Sequence, residues 1–318
     1  MTRVTLGTRG SALALWQART VATALERDGQ CRCELQIIKT TGDRLADVNL
    51  SKIGGKQVFV KEIEQALAEG RIDLAVHSAK DMPAELPEGL AIAGVLPRED
   101  PRDAVVLPAN RDTLPPLEGI GATPVNVGSG SIRRVAQLSR AWPAAVFSLI
   151  RGNVGTRLNK LDDGDHDLVI LAAAGLRRLG HGDRITELLD PDLCLPAPGQ
   201  GIVAIETRAG DTDTTSRVAA ISDPDAAAAL EAERAVLTAL GGGCQVPIGA
   251  LATIEQGQMT LRGLVASPDG ATLLRREGRG AVTDAGALGS DVAAGLLEDG
   301  AGPILALAAS ETSGAADA

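Results

Sequence analysis

Apolar residues in the first third of the chain fall alternately into short runs and longer periodic stretches, which predicts strands and helices in turn. Val4 to Leu6 reads as a strand, followed by the turn Gly7-Thr8-Arg9-Gly10-Ser11. Ala12 to Leu25 reads as a helix with Leu13, Trp16, Thr20 and Ala24 along one side and Ser11 as its N-cap. Glu34 to Lys39 is a second expected strand and Phe59 to Glu69 a second helix. Ile72 to Val76 is a buried strand that ends at His77-Ser78-Ala79-Lys80-Asp81. Ser51 to Gln57 is polar and carries Gly54-Gly55, which predicts a mobile loop.

The pattern restarts after Pro97 to Pro116, a segment rich in Pro, Asp and Arg that contains one expected strand, Ala104 to Leu107. Val125 to Val127 is a strand, Gly128-Ser129-Gly130-Ser131 a turn, and Ile132 to Ala141 a helix. Asp167 to Leu171 is a later strand that runs into Ala174-Gly175-Leu176-Arg177-Arg178. Two similar α/β lobes across a cleft account for this repetition; unrelated α/β units share the same order, so both readings stand at this point. Leu195 to Gln200, with Pro196, Pro198 and Gly199, reads as a second crossing between lobes, and Ile202 to Thr207 as a strand returning to the first. The last third predicts a small α+β unit. It has a helix from Asp225 to Leu240 after Asp223-Pro224, strands at Ile248 to Ile254 and Met259 to Ala266, and a helix at Ala285 to Glu298. The expected division is residues 1–101 with 202–219, then 105–197, then 223–308, with a tail at 309–318 too small and polar to be ordered.

Composition narrows the partners. The net charge of −10 disfavours nucleic acid and anionic membranes, and no apolar stretch approaches a membrane span. Four aromatics, Trp16, Trp142, Phe59 and Phe147, leave little material for stacking bases. Cys31, Cys33, Cys194 and Cys244 do not form a disulfide framework, and neither they nor His77, His166 and His181 show metal-ligand spacing. A reducing, cytoplasmic compartment is expected.

Candidate chemistry is concentrated locally. Between Gly128 and Arg178 stand seven Arg and one Lys against four Asp. Arg133 and Arg134 occupy the first turn of a helix, where cations oppose the dipole, so an anion is expected there. Arg177 and Arg178 follow a strand end, where open α/β sheets bind ligands, and Arg9 and Ser11 hold the equivalent loop of the first lobe. A polyanion in the cleft follows, although Gly128-Ser129-Gly130-Ser131 is neither a P-loop nor a dinucleotide fingerprint. Lys80-Asp81 reads equally as a surface pair or as a charged group of the cleft. Cys244 follows three glycines and lacks an activating partner; a small filler residue is the ordinary reading, and any chemistry there would be meeting a strong electrophile or serving as an attachment point. A non-catalytic anion-binding protein is the rival reading.

Five motifs in order change the weighting. They are Gly7-Thr8-Arg9-Gly10-Ser11-Ala12-Leu13-Ala14, His77-Ser78-Ala79-Lys80-Asp81-Met82-Pro83, Ile150 to Leu158, Pro198-Gly199-Gln200-Gly201, and Gly242 to Gly249. With them the chain closely resembles the porphobilinogen deaminases. The resemblance implies two periplasmic-binding-protein-like lobes around a cleft plus a small α+β C-terminal domain. It also implies that four porphobilinogen molecules are condensed head to tail into hydroxymethylbilane, with loss of ammonia, by a monomer. A dipyrromethane cofactor attached to Cys244 would prime the chain. Asp81 would be catalytic, and Arg9, Ser11, Lys80, Ser129, Arg133, Arg134, Arg151, Arg157 and Arg178 would meet cofactor or substrate carboxylates. Gly54, Gly55, Lys56 and Phe59 match a mobile loop over the site. Gly130 departs from the family pattern, which usually has Ser there.

Overall fold

A computed structural model describes residues 1–44, 60–110, 124–242 and 246–314. The first sheet has the order β2-β1-β3-β10-β4, from β1 (Thr2–Thr8), β2 (Cys31–Ile37), β3 (Leu74–Ser78), β4 (Leu90–Val95) and β10 (Val203–Arg208). The second has the order β7-β6-β8-β5-β9, from β5 (Asp103–Val106), β6 (Asn126–Gly128), β7 (Val146–Ser148), β8 (Leu168–Ala172) and β9 (Glu187–Leu188). The orders correspond position by position. In each five-stranded sheet four strands run parallel and the one in fourth position is antiparallel to both its neighbours; that strand is the one delivered from the other lobe. The repetition in the sequence is therefore a true pair of like lobes joined by two crossings.

Each sheet is buried on both faces, which is why its inner strands read as unbroken apolar runs. In the first lobe Leu6, Leu74 and Val76 pack on helix α1 (Ala12–Leu25), while Ile72 and Ala75 pack on α2 (Lys61–Ala68) through Ile63 and Leu67. In the second, Leu168 and Ile170 face Leu138 and Trp142 of α3 (Ile132–Ala141) and its C-cap. Val169 and Leu171 face Leu158 and Leu161 of α4 (Val154–Asp162) on the opposite side.

Helix α1 has the expected limits but not the expected face. Gln17, Ala18, Val21, Ala22 and Leu25 are buried, whereas Trp16 is 36% exposed. The Leu13–Trp16 side turns instead towards α5 (Ala173–Arg178) of the other lobe, with Leu13 beside Gly175. Strand β2 begins at Cys31 rather than Glu34, because the inward alternation starts with Cys31 and continues through Cys33 and Leu35.

Helix α6 (Thr212–Ala219) closes the first lobe, and the third unit follows. Helix α7 (Pro224–Ala239), capped by Asp223, packs with α8 (Ala285–Glu298) on an antiparallel meander of β11 (Ile248–Glu255), β12 (Gln258–Ala266) and β13 (Leu273–Ala281). Strand β13 is an edge strand carrying charges on successive residues, so it gave no alternating signal. Helix α9 (Ala301–Gly314) extends past Ala308, where composition predicts order to end; its Ala-rich turns favour helix and Ile304 and Leu305 pack on the third core. No helix among the described residues is long and apolar enough to cross a membrane.

Buried Glu233 of α7 ties the three units together. Its Oε1 accepts from Arg98 Nη1 (2.6 Å) on the first crossing and from Ala252 N (2.8 Å), while its Oε2 accepts from Gly199 N (2.6 Å) on the second. The crossings touch where Glu99 N donates to Gly201 O (3.0 Å). Gly201 has φ +88°, and a Cβ there would lie 2.2 Å from Glu99 O, so only glycine fits.

Candidate active site

The loops that carry the candidate residues all follow the C-terminal ends of parallel strands, and the two lobes bring those ends to one cleft. β1 delivers Arg9 and Ser11, β3 delivers Lys80 and Asp81, β6 delivers Ser129, Arg133 and Arg134, and β8 delivers Arg178 through α5. Arg151 and Arg157 follow β7, the latter on α4. Ser11 Oγ accepts from Ala14 N (3.3 Å), as the N-cap reading requires. Arg9, Ser11, Gln17, His77, Ser78 and Asp81 line one pocket.

Lys80, Asp81 and Arg157 interact as one electrostatic group. Burial lowers the Lys80 ammonium to about 8, with Asp81 opposing the shift and Arg134 adding to it. Lys80 Nζ donates to Gln200 Oε1 (3.2 Å). Burial likewise pushes Arg157 down to about 10; the charges of Arg134 and Arg151 reinforce this and Asp81 resists it. Burial also lowers Arg178.

The arginines divide into two kinds. Arg133 and Arg134 are buried and converge on Asp103, which is itself fully buried. Arg133 Nη2 donates to Asp103 Oδ2 (2.7 Å), and Arg134 Nη2 and Nε donate to Asp103 Oδ1 (2.7 and 3.0 Å). Gln200 Nε2 adds a bond to the same oxygen (2.8 Å) and Cys194 Sγ reaches the other (3.4 Å). Burial alone would raise the Asp103 carboxyl, but the two guanidinium charges outweigh it and hold the group well below the usual range. The anion expected at the start of α3 is therefore the chain's own Asp103. Arg133 Nη1 also donates to Leu195 O (2.5 Å), so the side chain reaches into the lobe junction.

Arg157 and Arg178 are different. Among the described residues neither forms an ion pair with a carboxylate. Arg157 Nε donates to Gly152 O (2.8 Å) and Arg178 Nη2 to Gly201 O (2.6 Å). Two largely desolvated guanidinium groups held by neutral acceptors keep the charge and the donors with which an external carboxylate could be bound. Arg177, by contrast, pairs with Glu99 (3.1 Å) and Asp100 (3.3 Å).

Ser129 is buried and its Oγ accepts from Ser131 N (3.3 Å), which shapes the turn before α3. A Cβ on Gly130 would lie 2.9 Å from Ile150 O, so the close approach of that carbonyl explains glycine where serine is usual. Gly54, Gly55, Lys56, Phe59 and Cys244 lie outside the described residues. The segment that follows Cys244 docks on the second crossing, where Ala250 N donates to Pro196 O (3.0 Å). Sequence reasoning missed Asp103 and Gln17 and left Gln200 without a role. Gln200 was within reach as the one polar side chain of Pro198-Gly199-Gln200-Gly201; Asp103 carried no local signal.

Family models match most of the chain: "Porphobilinogen deaminase, dipyromethane cofactor binding domain" over residues 4–216 and "Porphobilinogen deaminase, C-terminal domain" over 227–298. A porphobilinogen deaminase of Moorella thermoacetica is 49% identical over 308 residues, covering 96% of each chain. One of Chromobacterium violaceum is 48% identical over 312 residues, covering 98% of this chain and 99% of its own. Among solved structures, the VFT2 domain of Bordetella pertussis BvgS is similar at 17% identity and a TM-score of 0.40, covering 69% of this chain and 84% of that one.

Proposed function

The chain belongs to the porphobilinogen deaminase family, and on that footing we propose how its cleft performs the family's reaction. That reaction condenses four porphobilinogen molecules head to tail into hydroxymethylbilane with release of ammonia, in tetrapyrrole biosynthesis. The observation that carries the site assignment is the pairing of Asp81 with a desolvated cationic cluster that includes Lys80 and Arg157.

Every pyrrole ring brings an acetate and a propionate, so substrate and growing chain present carboxylates in series. Arg157, Arg178, Lys80, Arg9, Ser11, Ser129 and Arg151 hold them. Arg134, neutralised by Asp103, still lends its field to Lys80 and Arg157 and fixes the floor of the cleft together with Arg133. Asp81, a carboxylate set against Lys80 and Arg157, accepts pyrrole N–H bonds. Its charge stabilises the cation left on porphobilinogen as ammonia departs. It also holds the proton lost when the new carbon–carbon bond forms.

The cofactor fits this donor set. Its carboxylates match Arg157 and Arg178, which have no carboxylate partner of their own among the described residues, and Cys244 is its attachment point. When bound, the dipyrromethane supplies the pyrrole carbon from which the chain is extended. We assign the lobes to residues 1–101 with 202–219 and to 105–197, and the cofactor-bearing domain to 223–308. The working form is a cytoplasmic monomer with no nucleic-acid or membrane partner.

Purified protein given porphobilinogen should release ammonia and hydroxymethylbilane. Arg157→Ala should raise KM or stall elongation at a defined number of rings, read by intact mass. Wild-type intermediates and turnover in that variant would remove Arg157 from the site.

A further inference from the structure

Trp16 is an aromatic side chain that core packing does not account for. Trp142 is 2% exposed and Phe147 packs against the second-lobe core. Trp16 is 36% exposed on the side of α1 opposite its buried residues. Its ring instead meets the other lobe: the Arg178 guanidinium carbon lies 5.4 Å from the ring centroid, within cation–π range. Leu13, one turn earlier, lies beside Gly175 on the same helix as Arg178, so the contact belongs to a wider seam between α1 and α5. Ser11, the cap of α1, and Gln17, next to Trp16, both line the pocket with Asp81.

Arg178 needs such a partner. Arg133, Arg134 and Arg177 are each fixed by carboxylates. Arg178 has Gly201 O on one side and the indole face on the other, and both are electrically neutral. A carboxylate in the indole's place would fix the guanidinium but cancel the charge a ligand requires. An aliphatic side chain would preserve the charge without attracting it. An aromatic face does both, restraining the cation while leaving its charge available.

We propose that Trp16 is a positioning residue for the known reaction, holding Arg178 across the cleft in the orientation that receives a substrate carboxylate. The two lobes supply the two halves of this contact, so the aim of Arg178 depends on their spacing. The inference rests on the assignment of Arg178 to carboxylate binding.

The test is steady-state kinetics with porphobilinogen on cofactor-loaded protein for Trp16→Leu, Trp16→Phe, Arg178→Ala and the double variant Trp16→Leu/Arg178→Ala. Trp16→Leu should raise KM roughly three- to tenfold with kcat changed less than twofold, the scale of losing one partly desolvated cation–π contact. Trp16→Phe should recover most of the loss, and Trp16→Leu should add nothing in the Arg178→Ala background. Wild-type KM in Trp16→Leu, or its full effect persisting without Arg178, overturns the proposal while the carboxylate site stands. Wild-type KM in Arg178→Ala overturns both.

Discussion

At the scale of single residues, the site depends on where charge is left uncompensated. Asp81 interacts with Lys80 and Arg157, and in the proposed reaction its loss would remove both a proton holder and a preorganised charge. Asp81→Ala should therefore lower kcat by on the order of 10²-fold or more at an unchanged Tm; near-normal hydroxymethylbilane production would rule the role out. Lys80 makes a prediction with a sign. Burial lowers its ammonium to about 8, so below that pH it carries the charge its proposed carboxylate-binding role needs, and above it the charge is lost. KM for porphobilinogen should rise as pH climbs through about 8. Lys80→Arg, which stays charged, should flatten that rise; an identical rise in the variant would assign it elsewhere.

At the scale of elements, buried polar contacts decide stability. Asp103 on β5 neutralises both arginines at the start of α3. Asp103→Asn leaves two buried cations underpaired and should cost about 3–5 kcal/mol of stability, seen in denaturant unfolding. A cost below about 1 kcal/mol would show that the cluster relaxes freely. Glu64 on α2 supplies a pH dependence. Burial first, and then Glu206, raises its carboxyl to about 7, with His77 opposing the shift, and one oxygen of Glu64 and one of Glu206 find no hydrogen-bond partner among the described residues. The unfolded chain ionises Glu64 at the ordinary, lower value. Stability from this group is thus full below that value and declines as pH rises through 7. Glu64→Gln should gain Tm over wild type progressively from pH 5 to 8; a constant difference would contradict the assignment. The limits of α1 and α3 were legible in the sequence because caps and periodicity are local. The inward face of α1 was not, since Leu13 and Trp16 are apolar for the sake of the other lobe. The anion at α3 was misread for the same reason: Asp103 reaches it from a strand delivered by the first crossing, and nothing near either residue announces the meeting.

At the scale of the whole molecule, two crossings join like lobes, and Glu233 ties both to the third unit. The second crossing carries Gln200 to Lys80 and Gly201 to Arg178, so the hinge and the proposed binding groups share backbone. Movement of the lobes would re-aim the cations one after another, as a lengthening chain of carboxylates requires. The global charge of −10 concealed this arrangement, because acidic residues elsewhere outnumber the cations of the cleft. In the proposed function the cleft extends a polypyrrole primer anchored at Cys244. Intact-mass spectrometry of the purified wild-type protein and of Cys244→Ser tests it most directly. A covalent excess of two pyrrole units is expected on the wild type, with stepwise additions of further pyrrole units on brief exposure to porphobilinogen, and neither in Cys244→Ser. A wild-type mass equal to that of the bare polypeptide, or the same excess in Cys244→Ser, would contradict it.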